Sequence, residues 1–154
     1  MQSIRIIKIP DCKMVSSGIG MFGEENFTAF DAWFSAFPPV KDARDFAVEA
    51  DGGLEWLFLY EEGIDVPEQF PIVDFKGGLY AVSTDIDGQT DTAAMDRELQ
   101  EFLRENGLEQ DLSRRRMGNI ITPPEAERIM GYQQMDYYMP VKARRIESAK
   151  ESNI

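Results

Sequence analysis

Four phenylalanines, Phe27, Phe30, Phe34 and Phe37, recur at intervals of three and four residues. That spacing puts all four on one face of an α-helix. It predicts a helix over about 24–37 whose aromatic stripe must be covered by a second layer. Trp33 flanks the stripe, and Glu24 and Glu25 suit the positive end of the helix dipole. Pro38-Pro39 reads as its stop. A second stripe, Met95, Leu99, Phe102 and Leu103, predicts a helix over about 91–106, capped by Asp91 or Thr92 and ended by Gly107. Thr122-Pro123-Pro124-Glu125 reads as a capping box with proline at the first helical position, opening a short helix that Gly131 ends.

Between these helices the pattern is extended. Residues 4–9, 13–17, 54–60, 70–76, 79–86, 116–121 and 134–141 are rich in β-branched, aromatic or alternating apolar positions. Residues 44–50 fit either a short strand or a turn of helix. Gly18, Gly20 and Gly23 read as a flexible connection, Gly77-Gly78 as a join or bulge, and Asp87-Gly88 as a turn. The two strand–helix stretches starting at Lys13-Met14-Val15-Ser16-Ser17 and Tyr80-Ala81-Val82-Ser83-Thr84 look related. The expected fold class is therefore α+β: duplicated β-α-β-β units, about 11–86 and 79–143, forming an antiparallel sheet with two long helices on one face and a ligand groove between the repeats. Residues 1–145 form the domain, and 146–154 read as a frayed tail.

A chain of 154 residues is about one domain long. Ten Phe, five Tyr and two Trp argue against disorder. The net charge of −12 disfavours direct nucleic-acid binding. The run Arg114-Arg115-Arg116 reads as a solvated loop or strand edge, and Lys142, Arg144 and Arg145 as a solvated tail. The absence of histidine removes the usual Ser-His and Cys-His nucleophile pairs and His-containing zinc sites. Cys12 is the single cysteine, so no intramolecular disulfide forms, which fits a reducing compartment such as the cytoplasm. Residues 1–10 are too short and too charged for a signal peptide, and no apolar run approaches a transmembrane helix. No metal, cofactor or membrane partner is expected.

Four motifs occur in order: Asp11-Cys12-Lys13-Met14-Val15-Ser16-Ser17-Gly18, Phe30-Asp31-Ala32-Trp33, Phe75-Lys76-Gly77-Gly78-Leu79-Tyr80-Ala81-Val82 and Asp136-Tyr137-Tyr138-Met139-Pro140-Val141-Lys142. Together, over residues 11 to 143, the chain resembles the gyrase-inhibitor-like (GyrI-like) effector-binding family found in AraC- and MerR-type transcription regulators. The resemblance implies a groove that binds drugs or metabolites, apolar or amphipathic and in some members cationic. It also implies a DNA-binding domain alongside, if the chain is a fragment of a regulator, or a stand-alone relative otherwise. Some members bind DNA gyrase and some are hydrolases. Many members carry a buried Glu in the strand before the last loop, and Asn119 is its best match here. A cationic ligand then loses its expected partner, and the hydrolase reading weakens.

Trp56, Phe58 and Tyr60 alternate along one strand and would form an aromatic wall of the groove or ordinary core, with Glu55 and Leu57 facing away. Tyr80 suits a pocket rim or a sheet edge. Tyr137 and Tyr138 point to opposite faces, so one of them would face the groove. Glu55 and Asp136 are the acids that could be desolvated within strands, as a general base or as plain solvent-facing acids. Met14, Met21, Met95, Met130, Met135 and Met139 would line the groove or fill the core. The ligand-binding candidates are thus Glu55, Trp56, Phe58, Tyr60, Tyr80, Asn119, Tyr137 and Tyr138, with no catalytic or metal-ligating residue assigned. A binding module leads, and a hydrolase and a gyrase-interacting protein are the alternatives.

Overall fold

The computed structural model describes residues 3–86 and 89–145. The turn expected at Asp87-Gly88 and the tail expected at 146–154 lie outside the described residues. In chain order the elements are β1 (Arg5–Ile9), β2 (Cys12–Gly20), α1 (Glu25–Phe34), β3 (Asp45–Ala50), β4 (Gly53–Leu59), β5 (Ile72–Phe75), β6 (Gly78–Ile86), α2 (Thr92–Glu105), β7 (Leu108–Gln110), β8 (Met117–Ile120), α3 (Pro124–Met130) and β9 (Gln134–Ala143). All nine strands join one antiparallel sheet in the order β1-β6-β9-β8-β3-β4-β2-β5, with β7 pairing β9. Among the described residues no helix is long and apolar enough to cross a membrane.

Side chains alternate across a sheet, so the register sorts the core into two faces. Met14, Phe46, Val48, Leu57, Tyr80, Val82, Met117 and Tyr138 fall on one face and form a single buried cluster. Ile7 and Ile9 from one edge of the sheet and Val73 and Phe75 from the other pack against that same cluster. The sheet therefore curls into a half-barrel around its own inner face. The outer face carries both long helices. Phe30 of α1 is fully buried against Val15, Phe58 and Phe70. Leu99 and Leu103 of α2 are buried against Ala81, Met139 and Val141. The ladder Trp56↔Ala47↔Gly118↔Tyr137↔Ser83 connects these two regions without changing face.

Several expectations are corrected by local chemistry. Helix α1 ends at Phe34 with Ser35 as its cap, before Pro38-Pro39; Phe37 extends the aromatic stripe from the following turn, against Trp33 and Phe58. Gly18 and Gly20 lie inside β2 and not in a loop. There the register shifts between Ser16 and Ile19, Gly18 takes φ 79°, and the Ser17 hydroxyl accepts the Trp56 amide at 3.0 Å. This is a bulge that needs glycine, stitched by a side chain where a ladder bond is missing. Thr122 does not cap α3. Pro123 holds the cap position, and the Thr122 hydroxyl accepts the Gln134 amide at 2.7 Å. Asp91 does cap α2, accepting from the Ala94 amide at 3.1 Å. Residues 44–50 resolve as a strand, and β7 has no counterpart in the sequence reading.

The Arg114-Arg115-Arg116 run is not a uniformly solvated segment. The Arg114 side chain is only 6% exposed. It pairs with Asp111 at 2.9 Å, donates to the Leu79 and Val141 carbonyls, and lies over the Tyr80 ring. Gly78, with φ 145°, leaves room for it: a Cβ there would run into the guanidinium. Hydrogen bonds from Ser113 and Arg114 hold the Asp111 carboxyl well below the usual carboxylate range. Phe30→Ala should destabilise the domain by about 3–5 kcal/mol, because the ring leaves a cavity under α1. Urea unfolding checks this, and a loss below about 1 kcal/mol would contradict the placement of the outer core.

Candidate functional site

The helices leave the middle of the outer face uncovered. There the side chains are small: Ala47 on β3, Gly118 on β8 and Ser83 on β6. A cavity of about 420 Å³ lies over them. Thr92, Met95, Asp96 and Leu99, one face of α2 at helical spacing, form one wall. Phe22, from the connection between β2 and α1, and Leu54 of β4 form the other. Met135, Tyr137 and Met139 continue the floor along β9, and Glu49 and Arg116 lie side by side at the β3–β8 seam. The Glu49 amide donates to the Arg116 carbonyl at 3.0 Å. Gly118 sets the depth: a Cβ there would come within 2.8 Å of the Met135 Cε.

Of the aromatic and polar sequence candidates, Tyr137 and Tyr138 line this cavity, and of the methionines Met95, Met135 and Met139 do. They are neighbours on a strand and point to opposite faces. Tyr137, 40% exposed, is the one on the outer face, and the Tyr138 side chain belongs to the inner cluster. Burial, with Asp136 adding to it, pushes the Tyr138 phenol up to about 12.

The other candidates lie elsewhere. Tyr80 is 1% exposed in the inner core, not at a rim, and burial raises its phenol while Arg114 opposes the shift. Phe58 is buried beneath α1, stacked on Phe34 at 5.3 Å with Arg44 over its ring. Tyr60 packs at the edge of that same cluster. Trp56 is on the outer face but is enclosed by Phe22, Phe27, Phe30 and Phe34. Its indole N–H donates to Asp45 at 3.1 Å, and burial raises the Asp45 carboxyl against that bond. Trp56 thus stands behind Phe22, which does line the cavity.

Asn119 faces the inner side, buried, and donates to the Asp45 carbonyl at 2.8 Å. On the cavity side this segment presents Gly118 of β8 and, just before the strand, Arg116. Neither acid proposed as a base reaches the cavity. Glu55 accepts from the Ser16 hydroxyl at 2.5 Å and pairs with Arg115 at 3.0 Å. Asp136 pairs with Arg5 at 2.9 Å and accepts from Thr84 at 2.8 Å. Sequence reasoning missed Phe22, Ala47, Glu49, Ser83, Asp96, Arg116 and Gly118. The signal for the small ones was there in principle, as breaks in the apolar alternation of three strands, but it depends on knowing which strands are neighbours.

No protein-family model and no curated protein matches the sequence. Solved structures do match. The C-terminal domain of EcmrR superposes with a TM-score of 0.59 at 10% identity, over 93% of this chain and 99% of that one. In the EcmrR–DNA complex the chain covers 58% of the EcmrR chain. A hydrolase from Listeria innocua gives 0.61 at 12% identity, over 91% and 92% of the two chains. SAV2435 bound to tetraphenylphosphonium gives 0.50 at 10% identity, over 91% and 94%. At such identities the likeness establishes the fold, and the fold is the GyrI-like one that the motifs imply.

Two measurements separate the core from the cavity. Trp56→Ala should cost about 3–5 kcal/mol in urea unfolding, whereas Tyr137→Ala should stay within about 1 kcal/mol. Tyr138 keeps its phenol neutral in the fold, with a pKa raised from 10.0 to about 12. Its contribution to stability is therefore complete below pH 10 and is lost as the pH rises through 12. Absorbance at alkaline pH should show a late-ionising tyrosine that Tyr138→Phe removes.

Proposed function

We propose that this chain is a small-molecule effector-binding domain whose ligand, largely apolar and carrying aromatic rings, occupies the cavity between α1 and α2. The carrying observation is the cavity itself. Its volume of about 420 Å³ falls within the range of small-molecule sites. Its lining combines the side chains of Phe22 and Tyr137 with those of Met95, Met135 and Met139. Thioethers are flexible and polarisable, and they pack well against aromatic guests of varied shape. SAV2435, a neighbour in fold, holds tetraphenylphosphonium, a molecule of four phenyl rings. That supports an apolar, bulky guest for this architecture.

The same proposal takes the two halves of the chain as repeats of one β-α-β-β unit, with the cavity as the groove between them. The strand order supports it: β2-β4-β3 on one side of the seam is mirrored by β6-β9-β8 on the other. The domain serves either as the ligand-sensing part of a transcription regulator or as a stand-alone relative. In both settings a ligand at the seam acts by favouring one arrangement of the halves. A general base at Glu55 or Asp136 is disfavoured, since each is held in an ion pair away from the cavity.

Isothermal titration and thermal shift with tetraphenylphosphonium and neutral polyaromatic compounds test this reading. At least one should bind. Tyr137→Ala should weaken it by about 1–3 kcal/mol. Gly118→Val, whose Cβ meets the flexible end of Met135, should abolish binding while the protein still melts cooperatively. Binding untouched by both substitutions would place the ligand elsewhere.

A further inference from the structure

Three arginines follow one another, and two of them are spoken for. Arg114 pairs with Asp111 and Arg115 with Glu55. Arg116 donates to the Gln110 side-chain oxygen at 3.3 Å. Among the described residues no carboxylate lies within salt-bridge distance of it. Yet Arg116 lines the cavity and is half-buried, while the two acids at the cavity, Glu49 and Asp96, are exposed. A guanidinium has five N–H donors in a planar fork that matches a carboxylate. Partly removed from water and against apolar neighbours, it gains more from such a partner than an exposed acid gains from a cation. Glu49 sits opposite Arg116 just beyond the ladder, joined to it by a backbone hydrogen bond, without its carboxylate within salt-bridge distance of the guanidinium.

Resting on the cavity being the binding site, we infer that its preferred ligand is an aromatic carboxylate. The carboxylate pairs with Arg116, and the rings lie on Met135, Met139 and Tyr137. Ser83 and Gly118, with no bulk above the floor, leave the rings room to reach that depth. Solvated and screened by salt, Glu49 and Asp96 repel the anion weakly by comparison. The chemistry is opposite in sign to a cation held by a buried acid, for which the cavity-facing positions of β8 provide no carboxylate.

Three probes of nearly one shape test this by titration calorimetry: naphthalene-2-carboxylate, naphthalene-2-carboxamide and naphthalen-2-ylmethylammonium. The carboxylate should bind about tenfold or more tighter than the amide, as a charge-assisted pair requires. Arg116→Gln should erase that ratio while amide binding persists. Arg116→Lys should keep part of it, which also guards against a variant that merely misfolds. Equal affinity of carboxylate and amide overturns the inference. So does tightest binding of the ammonium, lost in Glu49→Gln, which would make the seam acids the selective groups. Either result leaves the cavity as a binding site. If none of the three binds and tetraphenylphosphonium also fails, the binding reading and this inference fall together.

Discussion

The two halves of the sheet are joined by a ladder of just two residue pairs, Ala47↔Gly118 and Val48↔Met117. Everything else about the outer face depends on that short seam. It holds the β4–β3 and β8–β9 ladders in one register, so side chains keep their face across the whole half-barrel. Val48 and Met117 close the inner core at the seam. Ala47 and Gly118, on the other face, present almost nothing. The helices flank the seam at a distance set by their own bulky stripes, Phe30 on one side and Leu99 with Leu103 on the other. A cavity is what remains when two bulky layers straddle a strip of small residues.

Polar groups inside the fold are satisfied in ways that consume the chemistry the sequence offers. Arg114 is nearly buried, and its Nη1 has no hydrogen-bond partner. The Asp111 pair, two carbonyls and the Tyr80 ring compensate for its desolvation. Asp136 and Glu55 are likewise fixed by arginines. A carboxylate engaged in this way is turned to its arginine and not to the cavity, out of hydrogen-bond reach of a substrate held there.

Much of the fold was legible in the sequence because periodicity reports on local burial. The stripes of α1 and α2 and the apolar run of β4 follow from it, as does the Gly131 stop of α3, with φ 86°. What escaped was set by partners distant in the chain. β7 is three residues long and exists because β9 offers an edge. The β2 bulge depends on Ser16 and Ser17 reaching across to Glu55 and Trp56. The site was less legible still. Aromatic residues draw attention as binding groups, yet Tyr80 and Phe58 are buried because large rings are the most effective core fillers. The cavity is defined by glycine, alanine and serine, whose meaning appears only when non-consecutive strands become neighbours. Tyr137 could be singled out with Tyr138, but which of the two faces outward requires the register.

A shared fold leaves the activity undecided. The same architecture serves the C-terminal domain of a protein captured on DNA, a hydrolase and a protein holding a lipophilic cation. The choice among such roles rests on the few side chains that reach the cavity, since those alone meet a ligand. In this chain they are thioethers, two aromatic rings and one half-buried guanidinium at the seam, with acids confined to the exposed rim. Thioethers and rings supply affinity without direction, because dispersion and apolar burial have little angular preference. On the proposed reading Arg116 supplies the direction, since its planar fork rewards only a partner of the right charge and shape. Gly118 supplies the space in which both act at once. On that proposed reading, selectivity is a property of two neighbouring positions on one face, one large and charged and one without a side chain, and not of the aromatic strand that dominates the sequence.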